Sequence, residues 1–250
     1  MSDRNPPFFL PDMEVEGKLV RDYEPAVFRA LLEAAPPTLP FPRRVEALCD
    51  RLAGSPYRNS PLGGGPDQAE VFTVHLGGFD CVTLFETVTA LALSASEPEF
   101  LRRLHRLRYR DGRTDYFTRR HYMSQWREEN EREGRVAVPP GLPPEREWTR
   151  EIGVLPAFGT FPVRLGGWPK RCVLRLAPGI RSGDLAFFIS SRRRLDYFHT
   201  GILRSSGSEI RLFHASRSRG QAVDVPLPDF LGNNRMTGLT LLRPLPFHIT

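Results

Sequence analysis

The sequence predicts an α+β fold in which helices come first and an antiparallel sheet follows. Two observations predict it. Up to about residue 109, apolar residues recur mainly at the three- and four-residue spacing of helices buried on one side. Beyond about residue 170, short β-type runs separated by turn residues lie close enough to pair as antiparallel neighbours. No linker rich enough to separate independent units lies between them. The 250 residues therefore read as one domain with a helical and loop elaboration at about 102–150.

Taken in order, "DYEPAVFRALLEAA" (22–35) predicts a helix with Asp22 as N-cap and Pro25 in its first turn. "PRRVEALCDRLAG" (42–54) predicts a second, ended by Gly54, with Cys49 in its apolar stripe beside Val45 and Leu48. The Pro- and Gly-rich stretch 55–70 is a loop and "VFTVHL" (71–76) a short strand. A helix opening at "FDCVTLFETVTAL" follows, then another over 97–109 and part of one in "HYMSQWREENEREG". The later β-type runs are "CVLRL", "GDLAFFIS", "FHTGILRS", "EIRLFHAS", "QAVDVPL" and "MTGLTLLRP".

The bulk numbers narrow the function. A formal net charge of +6 favours anionic partners without choosing among nucleic acid, anionic lipid and an acidic wall polymer. Three scattered cysteines make no disulfide framework, and no CxxC or HExxH run suggests a zinc site. No apolar run reaches the length of a membrane span. The opening residues lack a basic region followed by an apolar stretch, so no signal peptide is expected.

Two features carry chemistry. With Asp80 as N-cap, Cys81, Leu84, Phe85, Val88, Leu91 and Ala92 share one helical face. Cys81 then sits in the first turn, where the helix field is expected to lower the thiol pKa. A small buried residue at a helix start is the plain alternative. The second feature is "YFHTGILRSSGSEIRLFHAS" (197–216). With Ser206-Gly207 taken as a two-residue hairpin turn, Leu203 pairs with Ile210 and His199 with His214. The imidazoles then share a face, one able to take a thiol proton and the other to orient it. A one-residue slip would separate them.

"FDCVTLFET", "SGDLAFF", "FHTGIL" and "LFHAS" resemble, in order, the Cys helix and three strands of NlpC-type papain-like cysteine peptidases. "AGSPYRNSPLGG", "LRYRDG" and "TRRHYMSQW" resemble the N-acetylmuramoyl-L-alanine amidase-like branch. The resemblance runs from about residue 45 to 240. It implies a papain-like fold with the Cys helix packed on an antiparallel sheet or half-barrel. It implies Cys81 as nucleophile, His199 as base and His214 as the orienting residue. Substrate contacts are expected from Tyr57, Asp80, Arg119, His121 and Tyr122, with no metal or cofactor.

The implied reaction is hydrolysis of the amide between N-acetylmuramic acid and L-alanine in peptidoglycan fragments, in the periplasm or cell wall. A stem-peptide endopeptidase and a non-catalytic basic binder are the alternatives; nucleic acid is not expected. The order Cys before His argues against the phospholipid acyltransferases of this fold. Val82-Thr83 replaces the Ser-Gly that often follows the cysteine, and Gln125 stands where an acidic residue is expected.

Overall fold

The structure, a computed structural model, describes residues 19–206 and 209–248. Strand β1 (Leu19–Asp22) pairs in parallel with β2 (Phe72–His75), apart from the main sheet. Between them lie helices α1 (Pro25–Ala34) and α2 (Phe41–Leu52). Asp22 does not cap α1, contrary to expectation; it ends β1, and the extended Glu24 is the boundary residue. The proline supplies the reason: Pro25 is preorganised for a first helical position and forces the residue before it out of helical geometry.

Helix α3 (Cys81–Ala92) is the central element, and every residue from Thr83 to Ala92 is buried. Helices α4 (Glu97–Arg108) and α5 (Met123–Arg132) follow. Phe85 of α3 meets the Trp126 ring edge-on, with centroids 5.0 Å apart, and lies 5.3 Å from the ring of Phe187 in the sheet. One aromatic cluster thereby locks α3 between helix and sheet.

The remaining strands are β3 (Val136–Ala137), β4 (Arg146–Ile152), β5 (Phe161–Pro169), β6 (Leu185–Ile189), β7 (Tyr197–Ser206), β8 (Glu209–Ser216), β9 (Gln221–Pro226) and β10 (Gly238–Pro244). A short helix, α6 (Leu227–Asn233), joins β9 to β10. Among the described residues the main sheet runs β4-β5-β10-β6-β7-β8-β9, with β3 on β10. All its pairings are antiparallel. The α+β architecture with a later antiparallel sheet is therefore observed. The β4–β5 hairpin was not anticipated. "CVLRL" is not a strand but part of a 3-10 segment, Lys170–Gly179. Its buried residues are Cys172, Val173 and Leu176, and Leu174 is 51% exposed, so the run does not alternate as a strand would.

The sheet separates two apolar layers. Phe187, Ile202, Phe213 and Ala215 pack towards α3; Phe188, Leu203, Leu212 and Phe230 pack on the other side. The β7–β8 register differs from the predicted one. Leu203 faces Leu212, Ser205 faces Ile210 and Ser206 faces Glu209. The expected turn at Ser206-Gly207 falls partly outside the described residues, but the pairing is two residues from the one it implied. A two-residue shift preserves the face of every side chain, so His199 and His214 still share one.

The outer edge of β9 is covered. Gly54 and Ser55 exchange backbone hydrogen bonds with Ala222, and the Tyr57 N–H donates to Gly220 O at 2.8 Å. The same stretch also pairs with the residues that lead into α3: the Phe79 N–H donates to Pro56 O and the Arg58 N–H to Phe79 O.

Candidate active site

Asp80 caps α3 as its sequence suggests. Its Oδ1 accepts from the Val82 and Thr83 N–H groups at 3.1 and 2.8 Å, and the Thr83 hydroxyl closes a capping box. Among the described residues the cap takes the second and third N–H groups of the helix and leaves that of Cys81 outside it. The Thr200 hydroxyl donates to Cys81 O at 3.1 Å, fixing the start of α3 against β7.

The thiol differs from expectation. Its pKa is pushed up to about 11, first by burial and then by the Asp80 carboxylate, against hydrogen bonds from Thr200 and the backbone. The capping carboxylate sits at the positive end of α3, and its charge opposes the helix field that would favour a thiolate. Cys81 is therefore a neutral thiol at rest, and partly exposed.

The two imidazoles meet. His199 Nε2 and His214 Nδ1 are 2.8 Å apart, with ring centroids 4.7 Å apart and planes at 89°. Phe230 of α6 stacks on His199 at 5.5 Å and meets His214 edge-on at 5.2 Å. Burial holds His199 down to about 3, with His214 adding to the effect; burial holds His214 at about 4. Both rings are neutral at pH 7, so one of the facing nitrogens donates and the other accepts.

Gly201 makes this approach possible. A Cβ there would stand 2.8 Å from Phe213 O and 3.1 Å from His214 Cβ. Gly201→Ala is expected to cost about 1–3 kcal/mol in chemical denaturation, as overpacking does, and to spread the imidazole pair.

Cys81 and the imidazoles approach β7 differently. Thr200 and its cross-strand partner Phe187 face α3, whereas His199 and its partner Phe188 face the Phe230 layer. Among the described residues no hydrogen bond joins the Cys81 thiol to either ring. One chain step separates them: the residue touching Cys81 adjoins His199.

His199 and His214 line a cavity of about 890 Å³ whose rim includes Arg192, Arg217 and Arg219 and whose α6 wall carries Asp229 and Phe230. Tyr57 borders the thiol side. Its hydroxyl pKa is raised, first by burial and then by Cys81 and Asp80, while Arg217 opposes them. Arg217 thus lines the histidine cavity and acts on the tyrosine next to the thiol.

The other expected substrate contacts are engaged in the framework. Arg119 pairs with the buried Glu70 at 2.7 Å and donates to Gly63 O. His121 Nε2 donates to Tyr116 O, and its ring packs with Tyr116 and Phe158. Tyr122 precedes α5, buried, its hydroxyl accepting from the Leu155 N–H. None of the three is among the residues lining the histidine cavity. Glu70 was not singled out in the sequence, although it holds both Arg119 and Tyr109.

Burial also sets a pH response. His105, His121, His199 and His214 titrate at about 4, 4, 3 and 4, below the ordinary 6.5. Below pH 6.5 the unfolded chain therefore binds more protons than the folded one. This stability is present above pH 6.5 and is lost as pH falls towards 3–4. Urea unfolding should give a lower midpoint at pH 5 than at pH 7, corresponding to an unfolding free energy lower by about 5 kcal/mol or more, of order one pKa-unit equivalent per histidine.

A thiol at a capped helix start, beside a strand bearing a hydrogen-bonded imidazole pair, supplies the groups of a nucleophilic hydrolase. Residues 47–138 match the AmiA-like family model, described as N-acetylmuramoyl-L-alanine amidase-like. That span holds Tyr57, Asp80 and Cys81 but neither His199 nor His214.

Among solved structures, an N-acetylmuramoyl-L-alanine amidase from Bacteroides uniformis superposes with a TM-score of 0.68 at 23% identity, over 88% of this chain and 99% of its own. A Legionella pneumophila protein superposes with a TM-score of 0.75 at 21% identity, over 88% and 94%. A Bacteroides fragilis protein carrying a provisional xylanase label gives a TM-score of 0.68 at 25% identity, over 78% and 98%. These likenesses establish a shared fold. No curated protein matches the chain.

Proposed function

We propose that this chain is a cysteine-dependent peptidoglycan hydrolase that cleaves the amide between N-acetylmuramic acid and L-alanine. The observation that carries the reading is the 2.8 Å His199–His214 contact on the strand whose next residue, Thr200, grips Cys81. The amidase-like model match over 47–138 supports the choice of bond. The papain-like assignment rests on the order Cys81, His199, His214 and on the motifs around them.

In the mechanism, His199 donates its Nε2 proton to His214 Nδ1, which leaves His199 Nδ1 with a free lone pair. That nitrogen takes the Cys81 proton as sulfur attacks the amide carbon. With a thiol near 11 and an imidazole near 3, a preformed ion pair is unfavourable, so proton removal accompanies attack. No hydrogen bond joins sulfur and ring in the unliganded site, and the transfer requires the two to approach; catalytic hydrogen bonds of unliganded sites are often open. The Cys81 N–H, outside the Asp80 cap, donates to the oxyanion. The carbon–nitrogen bond then breaks, and His199 gives its proton to the leaving L-alanine amine. Water, deprotonated by the same nitrogen, releases the lactoyl acyl group from sulfur.

Incubation with purified muropeptides and mass spectrometry of the products tests this. Free muramic sugar with an intact stem peptide is expected. A sugar still carrying a dipeptide would make the chain a stem-peptide endopeptidase. No cleavage of any muropeptide would overturn the hydrolase reading.

A further inference from the structure

We propose that the cavity beside His199 and His214 is a carboxylate-recognising subsite, formed by the guanidiniums of Arg192, Arg217 and Arg219, for the acidic stem peptide of the substrate. The proposal rests on the hydrolase reading above and deepens it.

The first argument is which arginines are already committed. Elsewhere in the sheet, Arg204 holds Asp50 and Asp224, and Arg211 holds Glu209 and Asp224. Arg243 holds Asp184 through two nitrogens, and Arg150 donates to Ser190 O and Thr237. Among the described residues, the side chains of Arg192, Arg217 and Arg219 make no ion pair and no hydrogen bond. All three are exposed, and all three line the same cavity. Their donors are available to a ligand, and a guanidinium fork matches a carboxylate.

The second argument is position. Arg217 and Arg219 lie on the short connection from β8 to β9, immediately after the His214 strand. That connection is anchored at both ends: the Arg219 N–H donates to Ser216 Oγ, and Gly220 O accepts from the Tyr57 N–H. The connection thus adjoins Tyr57, the residue beside the thiol, and continues the strand that carries His214.

The third argument is charge balance. The α6 wall adds the Asp229 carboxylate and the Asn233 amide, and Phe198 and Phe230 give apolar surface. A site made for a polyanion would exclude the carboxylate at Asp229. A short peptide carrying carboxylates alongside amide and amino groups satisfies both walls.

The test measures binding without turnover. Calorimetry on the Cys81→Ala protein compares N-acetylmuramoyl-L-alanyl-D-isoglutamate with the same compound bearing an α-amide. The free acid should bind about 10- to 100-fold more tightly, the range expected for one charge-assisted contact. Adding Arg217→Ala and Arg219→Ala should abolish that preference, whereas adding Arg171→Ala, an exposed residue of the 3-10 segment that does not line this cavity, should leave it. Melting curves verify that each protein is folded.

Equal affinity for the two compounds, a preference that survives the double substitution, or no binding of either overturns the subsite. Cleavage by the unsubstituted protein is read separately. Cleavage of both compounds without discrimination removes the subsite and keeps the hydrolase. A charge-dependent binding preference with no cleavage of any muropeptide removes the hydrolase.

Discussion

Cys81→Ala is expected to abolish muropeptide cleavage, with a loss of at least about 10⁴-fold, while the melting temperature stays close to that of the parent. The size of the loss follows from removing the group that forms the covalent bond; nucleophile deletions in other hydrolases cost this much or more. The small effect on stability follows from the environment. Cys81 is partly exposed, and the cap of α3 is built from Asp80 and Thr83 rather than the thiol. Cys172→Ala is the matched control: this thiol lies in the 3-10 segment, 3.7 Å from Glu145, and its loss should leave the rate unchanged. A cleavage assay with melting curves on the three proteins reads both quantities. Undiminished cleavage by Cys81→Ala would exclude the thiol mechanism.

Arg108→Met is expected to destabilise the fold by about 3–5 kcal/mol, lowering the melting temperature by roughly 6–20 °C. Arg108 and Glu86 are both almost wholly buried, with Arg108 Nε 3.0 Å from Glu86 Oε2. Trp126 Nε1 donates to the other carboxylate oxygen at 3.0 Å, and Arg108 also donates to Thr73 O. Burial raises the Glu86 pKa and Arg108 lowers it, so without the guanidinium the carboxylate is left charged and unpaired, or protonated at a cost. Adding Glu86→Gln should recover part of the loss, because an amide needs no counter-charge. Differential scanning calorimetry of the single and double variants separates the two cases. If the double variant is no more stable than Arg108→Met, the loss comes from packing rather than an orphaned charge.

The helical half was legible because its periodicity is strong and its caps are local. Asp80 announces α3 by residue type, and its large apolar residues from Leu84 to Leu91 follow the three- and four-residue spacing, although the fold buries the helix on all sides. The imidazole pair was legible despite a wrong register, because alternation depends only on parity. The β4–β5 hairpin was not. β4 is largely exposed, reads "REWTREI", and shows no apolar alternation, and β5 carries two glycines and two prolines. The thiol pKa was misjudged because a helix field can be read from sequence, whereas burial and the net effect of a capping carboxylate depend on packing. Arg119, His121 and Tyr122 make contacts that residue type alone does not announce, because polar and aromatic types are ambiguous. Their partners, Glu70, Tyr116 and Leu155, come from the surrounding fold.

The segment that covers β9 has a second consequence. An uncovered strand at the border of a sheet is a template on which other chains can add and grow into aggregates. Residues 54–57 occupy that template through backbone hydrogen bonds, and the same residues bring Tyr57 to the thiol. Detaching this segment would therefore do two things at once: strip the tyrosine from the Cys81 thiol and bare an adhesive border. Protection of the sheet edge and the placing of Tyr57 beside Cys81 rest on the same four residues.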